Sequence, residues 1–295
     1  MSVNLTKRDF LKTLGVISAA GVAHAGRAPR PRGHDDTLVI AHCGDPQFGF
    51  VTSQTKYNRP ASAFEENYKA DLRRLEAEIE ILNDIHPDLV YFTGDMTQNA
   101  PDVTKDWPRL LKKIKSPVLV TPGNHDMANN LTAENEDRFR EVFGYSYTTR
   151  DVKGWRIIAG NSQYWMSTKE TARKSAYEEW FAQALADARP LGGRVIVATH
   201  IPPFSHEVFE KGTYHNHPVK GRVEYLDACL AAGVRLYLAG HSHRYSAHGY
   251  KEMEILNVET TCCNFDFRPF GFRLLKIAPD GTYSWDFTEV NTTDE

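Results

Sequence analysis

The sequence predicts an α/β domain whose sheets are covered by helices. Three features lead there. From Thr37 onward, short apolar runs alternate with segments of helical spacing. The C-terminal end turns strand-rich. Polar blocks begin where five of the apolar runs stop. At 295 residues, 41% hydrophobic and 25% charged, the chain has enough apolar material to bury a full core in one large domain.

Leu38–Ala41 is the first expected strand. Ala63–Ile85 carries Leu72, Leu75, Ile79 and Leu82 at helical spacing, and Pro87 stops it. Leu89–Phe92 is a second strand, Trp107–Ile114 a short helix and Val118–Val120 a third strand. Arg138–Phe143 is helical and closed by Gly144. Arg156–Ala159 reads as strand, Ala176–Ala188 as helix, Val195–Ala198 as strand, and Tyr225–Ala232 as a helix stopped by Gly233. Leu236–Ala239 is a further strand. Glu254–Val258, Phe272–Ile277 and Thr282–Phe287 follow as strands with turns such as Pro279-Asp280-Gly281 between them.

The blocks after the strands are "GDPQ" (Asp45, Gln47), "TGDMTQN" (Asp95), "TPGNHD" (Asn124, His125, Asp126), "ATHIPPF" (His200) and "AGHSHR" (His241, His243). Ligands of α/β sheets bind beyond the carboxyl ends of the strands, so the blocks converge on one crevice. Their Asp, Asn, Gln and His donors offer oxygen and nitrogen without a thiolate. Such a set suits Mn, Fe, Mg or Zn. Gly44, Gly94, Gly123 and Gly240 each stand just before a proposed ligand, where a tight turn brings backbone close. Singly, each block has a plainer reading as a helix cap, a surface turn or a core histidine. Five together at strand ends favour a site.

In this order the blocks resemble the calcineurin-like metallophosphoesterase superfamily, whose pattern is D-x-H, G-D, G-N-H-[DE], a lone His and G-H-x-H. The resemblance spans Thr37 to the end and implies a four-layer αββα sandwich of two mixed sheets flanked by helices, with the metal site at the strand C-terminal ends. It also implies two divalent ions. Asp45, Gln47 and His243 would hold the first, Asn124, His200 and His241 the second, and Asp95 would bridge both. Water acidified between the ions would be the nucleophile of a phosphoester hydrolysis. His125 would be the acid for the leaving oxygen, its ring oriented by Asp126 or a neighbour. A His125 that merely caps the following helix is the alternative.

Two positions depart from related patterns. Gln47 stands where the family has His. Its neutral carbonyl is a harder, weaker donor, which favours Mn, Fe or Mg over Zn. Alternatively Gln47 turns away and one ion binds. Gln98 stands where purple acid phosphatases carry a Tyr, so no ferric tyrosinate is expected. Asp45-Pro46-Gln47-Phe48-Gly49 is similar to a branch that contains phosphoprotein phosphatases. The expected activity is a phosphomonoesterase on a phosphorylated small molecule or a phosphoprotein. A phosphodiesterase on nucleotides or lipid head groups, and a metal-binding protein without catalysis, are the alternatives.

Residues 1–25 have the layout of a secretory signal: a basic start, a modest apolar run and Ala23-His24-Ala25. Thr6–Lys12 resembles a twin-arginine export signal, with Lys7 in the first arginine's place. Residues 26–36 read as a linker and 37–295 as the catalytic domain. The export machinery and a periplasmic location follow from that reading. A short amphipathic helix packed on the body is the other one. A net charge of -3 gives no reason to propose nucleic acid as a partner, and no apolar run would span a membrane in the mature protein. Cys43, Cys229, Cys262 and Cys263 lack CxxC spacing. Phe209–Arg222, with His215, His217, Lys211, Lys220 and Arg222, either lines the site mouth or is a solvated loop. Asn264 and Arg268 belong to a segment that either approaches substrate or ends a strand. Asn161–Trp165 is an aromatic wall or packing.

Overall fold

The computed structural model describes residues 36–292 apart from Thr168 and Glu170. The expected export signal, and the linker up to residue 35, lie outside the described residues. Two mixed sheets form the centre. The first has the order β11-β10-β1-β2-β3, built from β1 (Leu38–Cys43), β2 (Leu89–Phe92), β3 (Val118–Val120), β10 (Gly271–Ile277) and β11 (Tyr283–Glu289). The second has the order β4-β5-β6-β7-β9-β8, from β4 (Thr148–Val152), β5 (Trp155–Ala159), β6 (Val195–Ala198), β7 (Val234–Ala239), β8 (Ser246–Tyr250) and β9 (Met253–Asn257).

Side-chain alternation along the strands explains the layering. In β1, Ala41 and Cys43 face α1 (Phe64–Ile85), whereas Leu38 and Ile40 face the other sheet. In β6, Val195 and Val197 face α5 (Ala172–Ala188) and α6 (Arg222–Ala231), whereas Ile196 and Ala198 face the first sheet. Residues buried on both faces read as continuous apolar runs. The second helical layer also takes in α4 (Gln163–Met166), and the first includes α2 (Val103–Leu110) and α3 (Ala133–Phe143). Helices, sheet, sheet and helices thus make the expected four-layer sandwich.

Four of the five expected helices start later than the observed ones. Thr132 and Thr171 cap α3 and α5 by accepting from Asn135 N and Lys174 N, so each helix begins several residues before its apolar stripe. Strands β4 and β8 were not expected. Both lie at sheet edges, and their mixed polar composition lacks an apolar run.

The two sheets are tied where the site lies. His42 Nε2 lies 3.1 Å from the carbonyl of Ala239, and the Tyr91 hydroxyl donates to the Thr199 carbonyl at 2.9 Å. His200 Nδ1 lies 3.0 Å from the Thr93 carbonyl. Each bond joins the carboxyl end of one sheet to that of the other. No helix among the described residues is long and apolar enough to cross a membrane.

Candidate metal centre

The five polar blocks meet in that crevice. Asp45 and Gln47 follow β1, Asp95 follows β2, Asn124 to Asp126 follow β3, His200 follows β6, and His241 and His243 follow β7. Of the seven expected ligands, Gln47, Asp95, His241 and His243 have φ between 33° and 66°. Left-handed backbone at non-glycine residues is strained and gathers at functional sites. Glycines make the close approach possible. A Cβ on Gly123 would overlap the Asp95 carboxylate, and one on Gly240 would overlap the Thr93 hydroxyl and meet the Asp45 carboxylate.

Donor atoms converge in two groups. His200 Nε2 lies 3.0 Å from Asn124 Oδ1, 3.1 Å from His241 Nδ1 and 3.3 Å from Asp95 Oδ2. In the other group, His243 Nε2 lies 3.4 Å from Asp45 Oδ2. The remaining ring nitrogen of each histidine faces a backbone carbonyl: Thr93 for His200, Tyr214 for His241 and Cys263 for His243. A carbonyl accepts, so those nitrogens carry a proton and the opposite ones face the site. Metal-binding histidines are held in this way.

Gln47 completes the pattern. Its Nε2 donates to Gln98 Oε1 at 3.3 Å, and its backbone N–H donates to the Asp95 carbonyl at 2.8 Å. Its Oε1 is buried and has no hydrogen-bond partner. An orphaned buried carbonyl oxygen is costly unless a cation accepts it as ligand. The residues present therefore fit metal ions. Asp95, His200 and His241 alone place one donor atom each within 4.8 Å of one another.

The electrostatics ask for positive charge. Burial lowers His200, but Asp95 and Asp45 outweigh it and lift the ring to about 9. Burial would raise Asp95, yet His200 and His125 hold it well below the usual carboxylate range. His241 is driven well down, by burial and by His200, and stays neutral.

A model of the calcineurin-like phosphoesterase family matches residues 38–245. The chain belongs to this family. It is 28% identical over 248 residues to the serine/threonine-protein phosphatase CPPED1 of Rattus norvegicus, covering 80% of this chain and 79% of that protein. The CPPED1 of Mus musculus is 27% identical over 287 residues, covering 90% and 91%. A dimetal phosphatase of Danio rerio superposes with a TM-score of 0.55 at 11% identity, over 86% of this chain and 96% of that one, and shares the fold. The protein is accordingly a phosphoester hydrolase of a metal-dependent family.

Within this calcineurin-like site, some expectations need correction. Asp126 does not orient His125. Its two oxygens accept from Met96 N at 2.9 Å and Gly123 N at 2.8 Å, so it fixes the two loops that carry Asp95 and Asn124. Burial and the adjacent Asp95 push it up to about 8. The ring partner of His125 is the Gln98 carbonyl, 3.0 Å from Nδ1, and the His125 backbone N–H donates to Asp95 Oδ1 at 2.7 Å. Asn264 is buried, and its amide is spent on its own loop, with Thr260, Arg268 and Pro269 as partners. Arg268 pairs with Glu259 and Asp266. The Asn264 amide is thereby turned from a substrate, while Arg268 stays exposed with its guanidinium on those two carboxylates. Arg222 is buried too, with its guanidinium on the carbonyls of Val208, Glu210 and His217, and Tyr164 packs in the core. His215 does reach the site: its ring centroid lies 5.5 Å from that of His241.

Two residues escaped the sequence reading. Tyr214 accepts from Asn124 Nδ2 at 2.6 Å through its hydroxyl and from His241 Nε2 through its carbonyl. Gln98 holds both Gln47 and His125. Tyr214 lies in a loop with no motif. The signal for Gln98 was its place three residues after Asp95, a place read only for the Tyr it lacks.

Proposed function

We propose that the chain is a two-metal phosphomonoesterase acting on phosphoserine or phosphothreonine in proteins. The convergence of Asp95, Asn124 and His241 on His200 Nε2, at 3.0 to 3.3 Å, is the observation that carries it. Asp45, Gln47 and His243 would hold one ion and Asn124, His200 and His241 the other, with Asp95 between. When bound, the ions supply Lewis acidity and lower the pKa of a water to near neutrality. The carbonyl donor of Gln47 favours Mn, Fe or Mg over Zn.

The protein's own groups complete the reaction. His125 gives Nδ1–H to the Gln98 carbonyl, which aims Nε2 at the site; in the imidazolium form the Nε2 proton passes to the leaving alkoxide and the ring is left neutral, still bonded to Gln98. Partial exposure lets that face meet substrate. The named activity of the CPPED1 relatives favours the phosphoprotein reading over a diesterase. A panel of p-nitrophenyl phosphate, bis-p-nitrophenyl phosphate and a phosphoserine peptide tests it. The monoester and the peptide should be hydrolysed with Mn present. Turnover of the diester alone contradicts the reading. Residues 1–25 serve in this account as an export signal, so the periplasmic protein should begin near residue 26; a start at Met1 contradicts that part.

A further inference from the structure

Beside the metal centre lies a cavity of about 450 Å³. That volume is within the ~300–1,000 Å³ of ordinary ligand clefts. Its lining includes Lys56, Arg244, His206, His215 and His248, and no Asp or Glu. The whole chain has 38 acidic against 35 basic residues, so an acid-free lining runs against composition. The carboxylates nearby are engaged elsewhere. Glu210 accepts the backbone N–H groups of Ser205, His206 and Glu207, and Glu259 and Asp266 pair with arginines.

The two permanent cations are uncompensated. Arg244 is exposed and makes no ion pair among the described residues. The Lys56 ammonium lies 4.8 Å from the Tyr57 ring and likewise has no carboxylate. The cavity lies against the metal centre, with wall residues that touch its ligands. Phe265, in its wall, stacks on His243 at 4.7 Å, His215 lies against His241, and Ser242 stands between the two ligand histidines.

We propose that this cavity is a subsite for the acidic flank of a phosphoprotein substrate. Carboxylates beside the phosphoserine meet Lys56 and Arg244 while the phosphate lies at the metal centre. The proposal rests on the phosphoprotein reading above and adds a sequence preference to it. Acid-free walls match carboxylates by charge, and the same walls give a neutral or basic flank nothing to pair with.

The test compares two phosphoserine peptides that differ only in Glu versus Gln around the phosphorylated residue. In the full-length metal-loaded protein, kcat/KM should favour the Glu peptide by about tenfold, the size of two exposed charge pairs acting together. In the Lys56→Gln/Arg244→Gln variant the ratio should fall to near unity. Because both peptides are measured on one preparation, loss of folded protein cancels. A wild-type ratio near unity, or a ratio the variant retains, overturns the subsite. Failure to hydrolyse either peptide, with p-nitrophenyl phosphate still turned over, overturns the phosphoprotein reading beneath it. Inhibition by phosphatidylserine vesicles, without inhibition by an unphosphorylated Glu peptide, assigns the cavity to lipid and also overturns the proposal.

Discussion

At the scale of single residues, Gln47 sets the character of the site. A histidine there would offer a soft nitrogen, whereas Gln47 offers a carbonyl oxygen held in place by Gln98. The sequence made that position readable as a ligand because Asp45 stands two residues earlier at a strand end. It did not show what frees the oxygen, since the pairing with Gln98 joins residues 51 apart. Gln47→His should tighten the first ion and let Zn support activity. Metal retained after dialysis, together with turnover in Zn alone, measures it; an unchanged Mn-over-Zn preference contradicts it. His125 was legible from its block, but its partner was not, because a backbone carbonyl leaves no mark in sequence. His125→Ala should lower kcat on a phosphoserine peptide by about 10²–10⁴-fold. Loss should be smaller on p-nitrophenyl phosphate, whose leaving group needs little protonation. Metal content near two per chain in the variant separates a proton-transfer role from damage to the site.

At the scale of elements, the central strands were readable because burial on both faces makes them wholly apolar. Edge strands β4 and β8 were not, since half-exposed pairs such as Thr149 with Ile158 and His248 with Ile255 need no apolar run on the edge side. Helix α1 carries a feature that periodicity hides. Glu78 is buried against Cys43 of β1, with no charge partner for its carboxyl among the described residues. Burial raises it from the ordinary 4.5 to about 7. Between those values the unfolded chain is ionised there while the folded chain keeps its proton. Stability from this group is therefore full below the lower value and falls as pH rises through the window. Glu78→Gln should gain stability over wild type at about pH 7 and much less at about pH 5, read from urea midpoints. Equal shifts at both pH values contradict a titrating Glu78.

At the scale of the whole molecule, the site exists because two sheets bring their carboxyl ends together. The first sheet supplies Asp45, Gln47, Asp95 and Asn124, and the second supplies His200, His241 and His243. Oxygen donors thus come from one sheet and imidazoles from the other. Neither half makes the site alone, and the bonds from His42, Tyr91 and His200 across the interface set their spacing. Strand order and block order in the sequence made this convergence legible. The segment Phe209–Arg222 was open to reading as a lining of the site mouth, but the contacts of Tyr214 within it and the acid-free cavity were not legible, because both depend on how long connections fold back over the strand ends.

The central claim is that two ions bind between these halves and that turnover requires both. Titration of the metal-depleted protein with Mn, followed by bound metal and by hydrolysis of p-nitrophenyl phosphate, tests it most directly. Activity should stay low through the first equivalent and rise to a plateau at about two per chain, and Asp95→Asn should abolish that rise. Full activity at one equivalent, or a plateau that Asp95→Asn leaves in place, would contradict the account.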